Sequence, residues 1–140
     1  MKAYIAPLVE ALDRRRITDP RSELEAIVRE LYATLSRNRT AIKLIDRCRS
    51  EHPELQSLFY AEGRFVQLDW LVRYLESRSR RGLLRALPDV AAAARFVIES
   101  IALWAVHVHW DPAPQAIDAG DAEETVVHFL LCGLLLKSPS

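Results

Sequence analysis

Apolar residues recur along this 140-residue chain at alternating intervals of three and four positions, which is the spacing of one face of an α-helix. Stretches with this pattern are separated by polar segments and by turn residues such as proline and glycine. The predicted helices cover residues 1–16, 20–35, 41–49, 53–82, 88–110 and 121–137. No stretch shows a convincing strand-like alternation. We therefore expect an all-α protein, an antiparallel bundle of about six helices in a single domain over residues 1–140.

Several of the predicted helix ends carry capping residues. Asp19 stands before Pro20, which combines an N-cap acceptor with a proline in the first turn. Asp121 is predicted to cap the last helix, with Glu124 three residues later as its reciprocal partner in a capping box. Gly82 is a natural stop for the long helix that begins at residue 53.

The last two predicted helices, residues 88–110 and 121–137, are apolar on nearly every side. A helix of this kind must be covered from several directions, and a chain of this length has few other elements to cover it. The simplest cover is a second copy of the same helix pair, which predicts a homodimer. The residues predicted to form the dimer interface are Ile98, Ile101, Ala105, Phe129, Leu130, Gly133 and Leu134.

The predicted helix over residues 53–82 carries two apolar stripes on different sides. One stripe is mainly aliphatic, and the other contains Phe59, Gly63, Val66, Trp70 and Tyr74. Two stripes require either two packing partners, or one packing partner and one cavity. The aromatic stripe is therefore either part of the core or the wall of a ligand pocket.

The predicted helix over residues 88–110 has three distinguishable sides. One is aliphatic, one is a narrow charged edge with Arg95 and Glu99 four residues apart, and the third is apolar with two polar interruptions. This third side consists of Phe96, Ser100, Leu103, Trp104 and His107. A mostly apolar surface with a few polar groups is the usual composition of a small-molecule pocket. His107 is either a polar group of such a pocket or a hydrogen-bonded core residue.

The chain has 19 basic and 19 acidic residues, so its formal net charge is zero. This balance argues against nucleic-acid binding by this chain, because phosphate contact requires clustered lysine and arginine. Half of the residues are hydrophobic and about a quarter are charged, which is typical of a globular domain.

The sequence contains no recognisable catalytic pattern. It has no phosphate-binding loop, no nucleophile and base at a recognisable spacing, and no carboxylate cluster of the kind that binds metals in helical bundles. His107 and His109 lie two residues apart and so point to different sides of a helix, without a third ligand at metal-binding spacing. We therefore predict no enzymatic activity, no metal site and no cofactor.

Cys48 and Cys132 lie in different segments, each among apolar residues and without metal-ligand spacing. They are predicted to be buried free thiols in a reducing compartment. The first dozen residues lack the apolar core of a signal peptide, and no segment contains the ~20 consecutive apolar residues of a membrane span. These features predict a cytoplasmic protein without membrane contact.

The order of these segments resembles the C-terminal ligand-binding and dimerisation domain of TetR-family transcriptional regulators. Three features carry the resemblance: a first helix beginning Met1-Lys2-Ala3, a long central helix ending near Gly82, and the final helix pair. In that pair an alanine-rich helix ends in the sequence HWDP, and after an irregular loop the sequence DAEE leads into HFLLCGLL. The resemblance covers essentially the whole chain. It implies that the final pair packs against its copy as a four-helix dimer interface.

Members of this family also carry a helix-turn-helix module that reads DNA, and nothing in this chain corresponds to it. The resemblance therefore implies a sensor and dimerisation module of a repressor, which contacts DNA only through such a module. A small apolar or amphipathic effector would bind among the helices. It would shift the population between two arrangements of the DNA readers by binding one arrangement more tightly.

The predicted effector site combines the aromatic stripe with the third side of the helix over residues 88–110. Ser100 and His107 would orient a polar group of the effector, and the aromatic residues would supply contact area. The alternative is a structural or protein-interaction bundle without a ligand, in which the same residues fill a dry core. The predicted ligand-binding residues are Phe59, Glu62, Val66, Trp70, Tyr74, Phe96, Ser100, Trp104 and His107.

Overall fold

A computed structural model of the protein describes residues 5–59 and 63–136. Within these residues the all-α prediction is confirmed: the chain forms seven α-helices and one short 3-10 helix over His107–Trp110. The only strand-like feature in the described part is an isolated antiparallel bridge between Leu84 and Leu135. The α-helices are α1 (Ala6–Asp13), α2 (Pro20–Arg37), α3 (Arg39–Arg47), α4 (Pro53–Phe59), α5 (Phe65–Arg80), α6 (Val90–Ala105) and α7 (Ala119–Leu134).

Aspartate side chains cap three of these helices. The carboxylate of Asp19 accepts hydrogen bonds from the backbone N–H groups of Arg21 and Ser22 at 3.1 and 3.2 Å, so α2 begins as predicted. Helix α7 differs from the prediction, because Asp118 and not Asp121 is its N-cap. The helix therefore starts one turn earlier, and Glu124 forms an ion pair with Arg29 of α2 at 2.9 Å instead of closing a capping box.

The described part of the predicted long helix over residues 53–82 contains α4 and α5. Helix α4 ends at Phe59, residues 63–64 form a π-helical turn, and α5 begins at Phe65. Its stop at the other end follows the prediction, since Gly82 has a φ of 71°, which glycine adopts without steric cost. The π-helical geometry shifts the side chains around the helix axis, so the stripes predicted for a regular α-helix do not continue unchanged past this point. Glu62 lies outside the described residues, as do Met1-Lys2-Ala3 at the start of the chain.

Helix α6 runs through the centre of the bundle and packs against α2, α5 and α7. Its aliphatic side faces the core, where Ile98, Ile101 and Ala105 are buried. Helix α7 returns antiparallel to α6, because the backbone N–H of Arg85 donates to the carbonyl of Leu134 at 2.8 Å. The end of α7 therefore lies beside the segment that leads into α6. No helix in the described part of the chain is long and apolar enough to cross a membrane.

A buried polar network joins α1, α2 and α5. Arg78 of α5 is 1% exposed, and it donates to Glu23 of α2 at 2.6 Å and to the carbonyl of Ala11 at 2.7 Å. The hydroxyl of Tyr74 also donates to Glu23, at 2.8 Å, and Arg14 pairs with the same carboxylate at 3.0 Å. The C-terminal end of α1 is thus attached to the bundle by hydrogen bonds as well as by apolar packing.

This network predicts a loss of stability in acid. Burial raises the pKa of Glu23, but the hydrogen bonds from Arg78 and Tyr74 outweigh it and hold the pKa below the ordinary value of 4.5. A carboxyl with a lowered pKa in the folded state stabilises the protein above its unfolded pKa, and the stabilisation is lost as the pH falls through the folded pKa. We expect Glu23→Gln to reduce the free energy of unfolding at neutral pH. Below about pH 4.5 the free energies of unfolding of the variant and of the wild type should approach each other.

Urea unfolding at several pH values measures this effect. Glu76→Gln is the matched control, because Glu76 is an exposed residue of α5. A difference between wild type and Glu23→Gln that stays constant between neutral pH and pH 3 would contradict the proposed role of the ionised carboxylate.

The two cysteines are both free, as predicted, but only one is shielded from solvent. Cys48 is half-buried, whereas Cys132 is exposed. Cys132 lies on the outward side of α7 next to Gly133, and the core of the bundle is on the opposite side of that helix. The prediction of two buried thiols therefore does not apply to Cys132.

Candidate functional site

A cavity of about 410 Å³ lies between the central helices and the pair α3–α4. Helices α5 and α6 form its inner wall, and the end of α2 closes one side. The lining residues are Leu35, Asn38, Ala41, Ile42, Ile45, Asp46, Leu55, Gln56, Leu58, Phe59, Gly63, Arg64, Gln67, Ile98, Glu99, Ala102, Val106 and His107. The wall is therefore mostly apolar with a limited number of polar groups, which is the usual composition of a small-molecule site.

Helices α3 and α4 form the outer cover of the cavity. They pack mainly against each other, and none of the residues in either helix is buried. Ile42 and Ile45 of α3 and Leu55 and Leu58 of α4 line the cavity. An amphipathic helix normally buries its apolar side against a core. In this chain the apolar side of the cover faces an open volume instead.

The polar groups of the cavity wall differ in whether they have a hydrogen-bonding or ion-pair partner within the protein. Arg64 forms an ion pair with Glu99, which also accepts a hydrogen bond from Arg95 at 2.8 Å. Asp46 pairs with Lys43 at 3.9 Å. Gln67 is only 5% exposed, and its side-chain amide takes part in none of the hydrogen bonds among the described residues.

His107 lies in the cavity wall just after the end of α6 and is half-buried. Burial lowers the pKa of its imidazole, and the positive charge of Lys43 lowers it further. The ring is therefore neutral at pH 7 and offers one donor and one acceptor. Among the predicted ligand-binding residues that the structure describes, His107 and Phe59 are the two that line this cavity.

The other described members of the predicted ligand site lie elsewhere. Val66 lines a separate shallow groove beside Ala91. Trp70 packs at the edge of the core with the guanidinium of Arg73 4.9 Å from its ring centroid. Tyr74 is buried, and its hydroxyl is used in the network with Glu23.

The third side of α6 also differs from the prediction. Phe96 is 67% exposed, and the hydroxyl of Ser100 donates to the backbone carbonyl of Phe96 at 2.7 Å. Trp104 packs at the edge of the core. Most of this side therefore faces outward, because the cavity opens beside Glu99 and Ala102 on a different side of the same helix.

The predicted dimer residues fall into two groups. Five of them are at most 6% exposed and pack inside the protomer, namely Ile98, Ile101, Ala105, Leu130 and Leu134. In the structure these five residues therefore contact other parts of the same chain and not the predicted second copy. The other two, Phe129 and Gly133, lie at the surface of α7, and Phe129 is 70% exposed. A side chain added at Gly133 would meet nothing within 4 Å in the protomer.

Sequence reasoning missed two parts of the cavity. One is α3, for which the sequence predicted a helix over residues 41–49 without assigning a partner to it. The other is Gln67, which belongs to the buried side of α5 together with Leu71, Tyr74, Leu75 and Arg78. These residues follow helical spacing, but three of the five carry polar groups, so a search for apolar residues does not detect the stripe.

Comparison with models of known protein families, with curated proteins and with solved structures finds no match for this chain.

Proposed function

We propose that this chain is a cytoplasmic, small-molecule-binding and dimerising domain of a TetR-like transcriptional repressor. Its effector is a small apolar or amphipathic molecule held in the cavity beneath α3 and α4. The observation that carries the proposal is a cavity of about 410 Å³ covered by two helices that bury none of their own residues. This volume falls in the range of about 300–1,000 Å³ that is usual for ligand pockets.

An effector in this cavity would complete the packing of the cover. The apolar side chains of α3 and α4 would lose contact with water when the effector fills the space beneath them, and this transfer is favourable. Binding would therefore favour the arrangement in which α3 and α4 are held against α5 and α6. A ligand that interacts more favourably with one arrangement shifts the population toward it.

Helix α2 connects the cavity with α1. Leu35, near the C-terminal end of α2, lines the cavity, whereas Glu23 in its first turn belongs to the network that holds α1. In the regulators that this chain resembles, the helix corresponding to α1 connects to the DNA reader. A small displacement of α2 would thus reach the helix that positions the reader.

Dimerisation is proposed through the outward-facing sides of α6 and α7. Phe96 and Leu103 of α6 and Phe129 of α7 are large apolar residues that are each at least 49% exposed. The two helices pack together in antiparallel orientation, and we propose that a second copy of the chain covers the outward sides of both. An exposed cluster of aromatic and aliphatic side chains is typical of a protein–protein contact. Gly133 on the same surface would allow a partner helix to approach closely.

The alternative function is a structural or interaction bundle in which no ligand enters. Binding of the hydrocarbon probe diphenylhexatriene distinguishes the two, because its fluorescence increases when it leaves water for an apolar site. We expect saturable binding by the wild type and a loss of affinity of about tenfold or more in Ala102→Phe, since the larger side chain occupies the cavity. Ala102 lines the cavity on α6.

Ala91→Phe is the control, because Ala91 lies on the same helix but lines the shallow groove beside Val66. It should bind the probe as the wild type does, and circular dichroism should show that both variants remain folded. Absence of probe binding by the wild type would favour the ligand-free bundle. A loss caused by Ala91→Phe and not by Ala102→Phe would assign the binding to the groove.

A further inference from the structure

The side-chain amide of Gln67 is the most buried polar group of the cavity wall that makes none of the hydrogen bonds among the described residues. Gln67 is 5% exposed and lines the cavity, and none of the hydrogen bonds among the described residues involves its amide. A buried amide without a partner is costly, so such groups in proteins are normally satisfied by another group or by water. A ligand in the cavity lies where it can supply the missing partner.

The charged residues of the same wall already have partners of opposite charge. Glu99 is paired with Arg64 and with Arg95, and Asp46 is paired with Lys43. The remaining titratable group, His107, has a pKa lowered by burial and by Lys43, so it is neutral at pH 7. An ionised ligand would have to give up its hydration in a mostly apolar space, and this is unfavourable.

We infer that the cavity selects an uncharged amphipathic molecule whose polar head carries an adjacent donor and acceptor, as in a primary amide or a lactam. The amide of Gln67 presents a carbonyl acceptor beside an NH₂ donor, and a ligand amide presents the same two groups in complementary order. Two parallel hydrogen bonds can form between them, while the apolar body of the ligand lies against Ile42, Ile45 and Ile98. This inference rests on the proposed function, because it requires that a ligand enters the cavity.

The inference is tested by measuring how well two ligands displace bound diphenylhexatriene at pH 7.5. One is decanamide, which is neutral, and the other is decanoate, which has the same chain length and an ionised head group. The wild type should bind decanamide about tenfold more tightly than decanoate, as expected for one satisfied buried hydrogen-bonding group. Gln67→Leu keeps nearly the same volume and removes the amide. It should bind decanamide about tenfold more weakly than the wild type does, whereas its affinity for diphenylhexatriene, which makes no hydrogen bonds, should not change.

Gln56→Leu is the matched control, because Gln56 is the other glutamine in the cavity wall and lies on the cover helix α4. It should keep the preference for decanamide. Gln67→Leu should also unfold at a urea concentration equal to or higher than that of the wild type, since it removes a buried amide without a partner. A lower midpoint would show that the fold uses this amide and would overturn the inference.

The outcomes separate the inference from the proposed function. If diphenylhexatriene does not bind, the proposed ligand site itself fails. If the probe binds but decanoate displaces it as well as decanamide does, the site exists and the inferred selectivity is wrong. A preference that disappears in Gln56→Leu and persists in Gln67→Leu would assign the recognition to α4 and would equally overturn the role of Gln67.

Discussion

Arg78→Ala is expected to lower the free energy of unfolding by about 3–5 kcal/mol, which is the usual cost of removing one partner of a buried ion pair. Arg78 is almost completely buried, and its guanidinium donates to Glu23 and to the carbonyl of Ala11. The substitution leaves the Glu23 carboxylate in the interior with less compensation and removes the hydrogen bond to the end of α1. Urea unfolding followed by circular dichroism at neutral pH measures the loss.

Arg80→Ala provides the control for this experiment, since Arg80 lies on the same helix and is exposed. Its effect should stay within about 0.5 kcal/mol of zero. The double variant Glu23→Gln with Arg78→Ala should lose less stability than the sum of the two single variants, because the residues interact directly. Additive losses would show that Glu23 and Arg78 do not stabilise each other, and a loss in Arg78→Ala no larger than in Arg80→Ala would show that the network contributes little to stability.

Phe129→Arg is expected to convert a homodimer into a monomer. Phe129 is the most exposed large apolar residue of the proposed α6–α7 interface. In a two-fold symmetric dimer the substitution enters the interface twice and places two like charges near each other. With about 2 kcal/mol lost per copy, as for an interface hot spot, the dissociation constant should rise on the order of 1,000-fold.

Light scattering coupled to size-exclusion chromatography measures this change directly. The wild type should elute with twice the 16.0 kDa mass of the protomer, and Phe129→Arg should elute with the protomer mass. Leu44→Arg is the matched control, because Leu44 is an exposed apolar residue of α3 that does not line the cavity. A wild type that remains a monodisperse monomer at micromolar concentration would refute the proposed dimer.

The polar groups of the buried network and the amide of Gln67 in the cavity wall have different roles, because the network groups hydrogen-bond to one another and the amide does not. Glu23, Arg78 and Tyr74 satisfy one another within the protein, so the network holds α1 in place without any ligand. Gln67 lies on the same side of α5, about three turns before Arg78, and its amide faces an apolar cavity without such a partner. One side of a single helix therefore carries both a structural contact and a proposed recognition group.

The local features of the fold could be predicted from the sequence because they depend on neighbouring residues. Asp19 and Gly82 end their helices through side-chain and backbone geometry that involves only a few positions. The start of α7 was misassigned because Asp118 and Asp121 are both suitable N-caps, and it is Asp118 whose carboxylate accepts hydrogen bonds from the backbone N–H groups of Gly120 and Asp121. The π-helical geometry at residues 63–64 was not predicted because the apolar periodicity continues across these positions.

The cavity could be predicted only in part. His107 was identified as one of two polar interruptions on an apolar surface, and Phe59 as a member of an aromatic stripe, and both line the cavity. Tyr74 and Val66 belong to the same stripe and lie in the core network and in a shallow groove. The stripe was predicted to be one surface, but Val66 and Tyr74 are eight residues apart on α5, which turns their side chains about 80° away from each other, so they face different neighbours.

The sequence by itself determined that the chain is helical, where most of its helices lie, and which residues share a side of each helix. These properties follow from the periodicity of the backbone and from short-range capping. Only the tertiary structure decided what each side faces: Ile98 and Leu130 turn inward, Phe96 and Phe129 turn outward, and α3 covers a cavity. Core, pocket wall and partner surface are all built from apolar side chains, so their composition does not distinguish them, and the packing of the helices assigns each side its role.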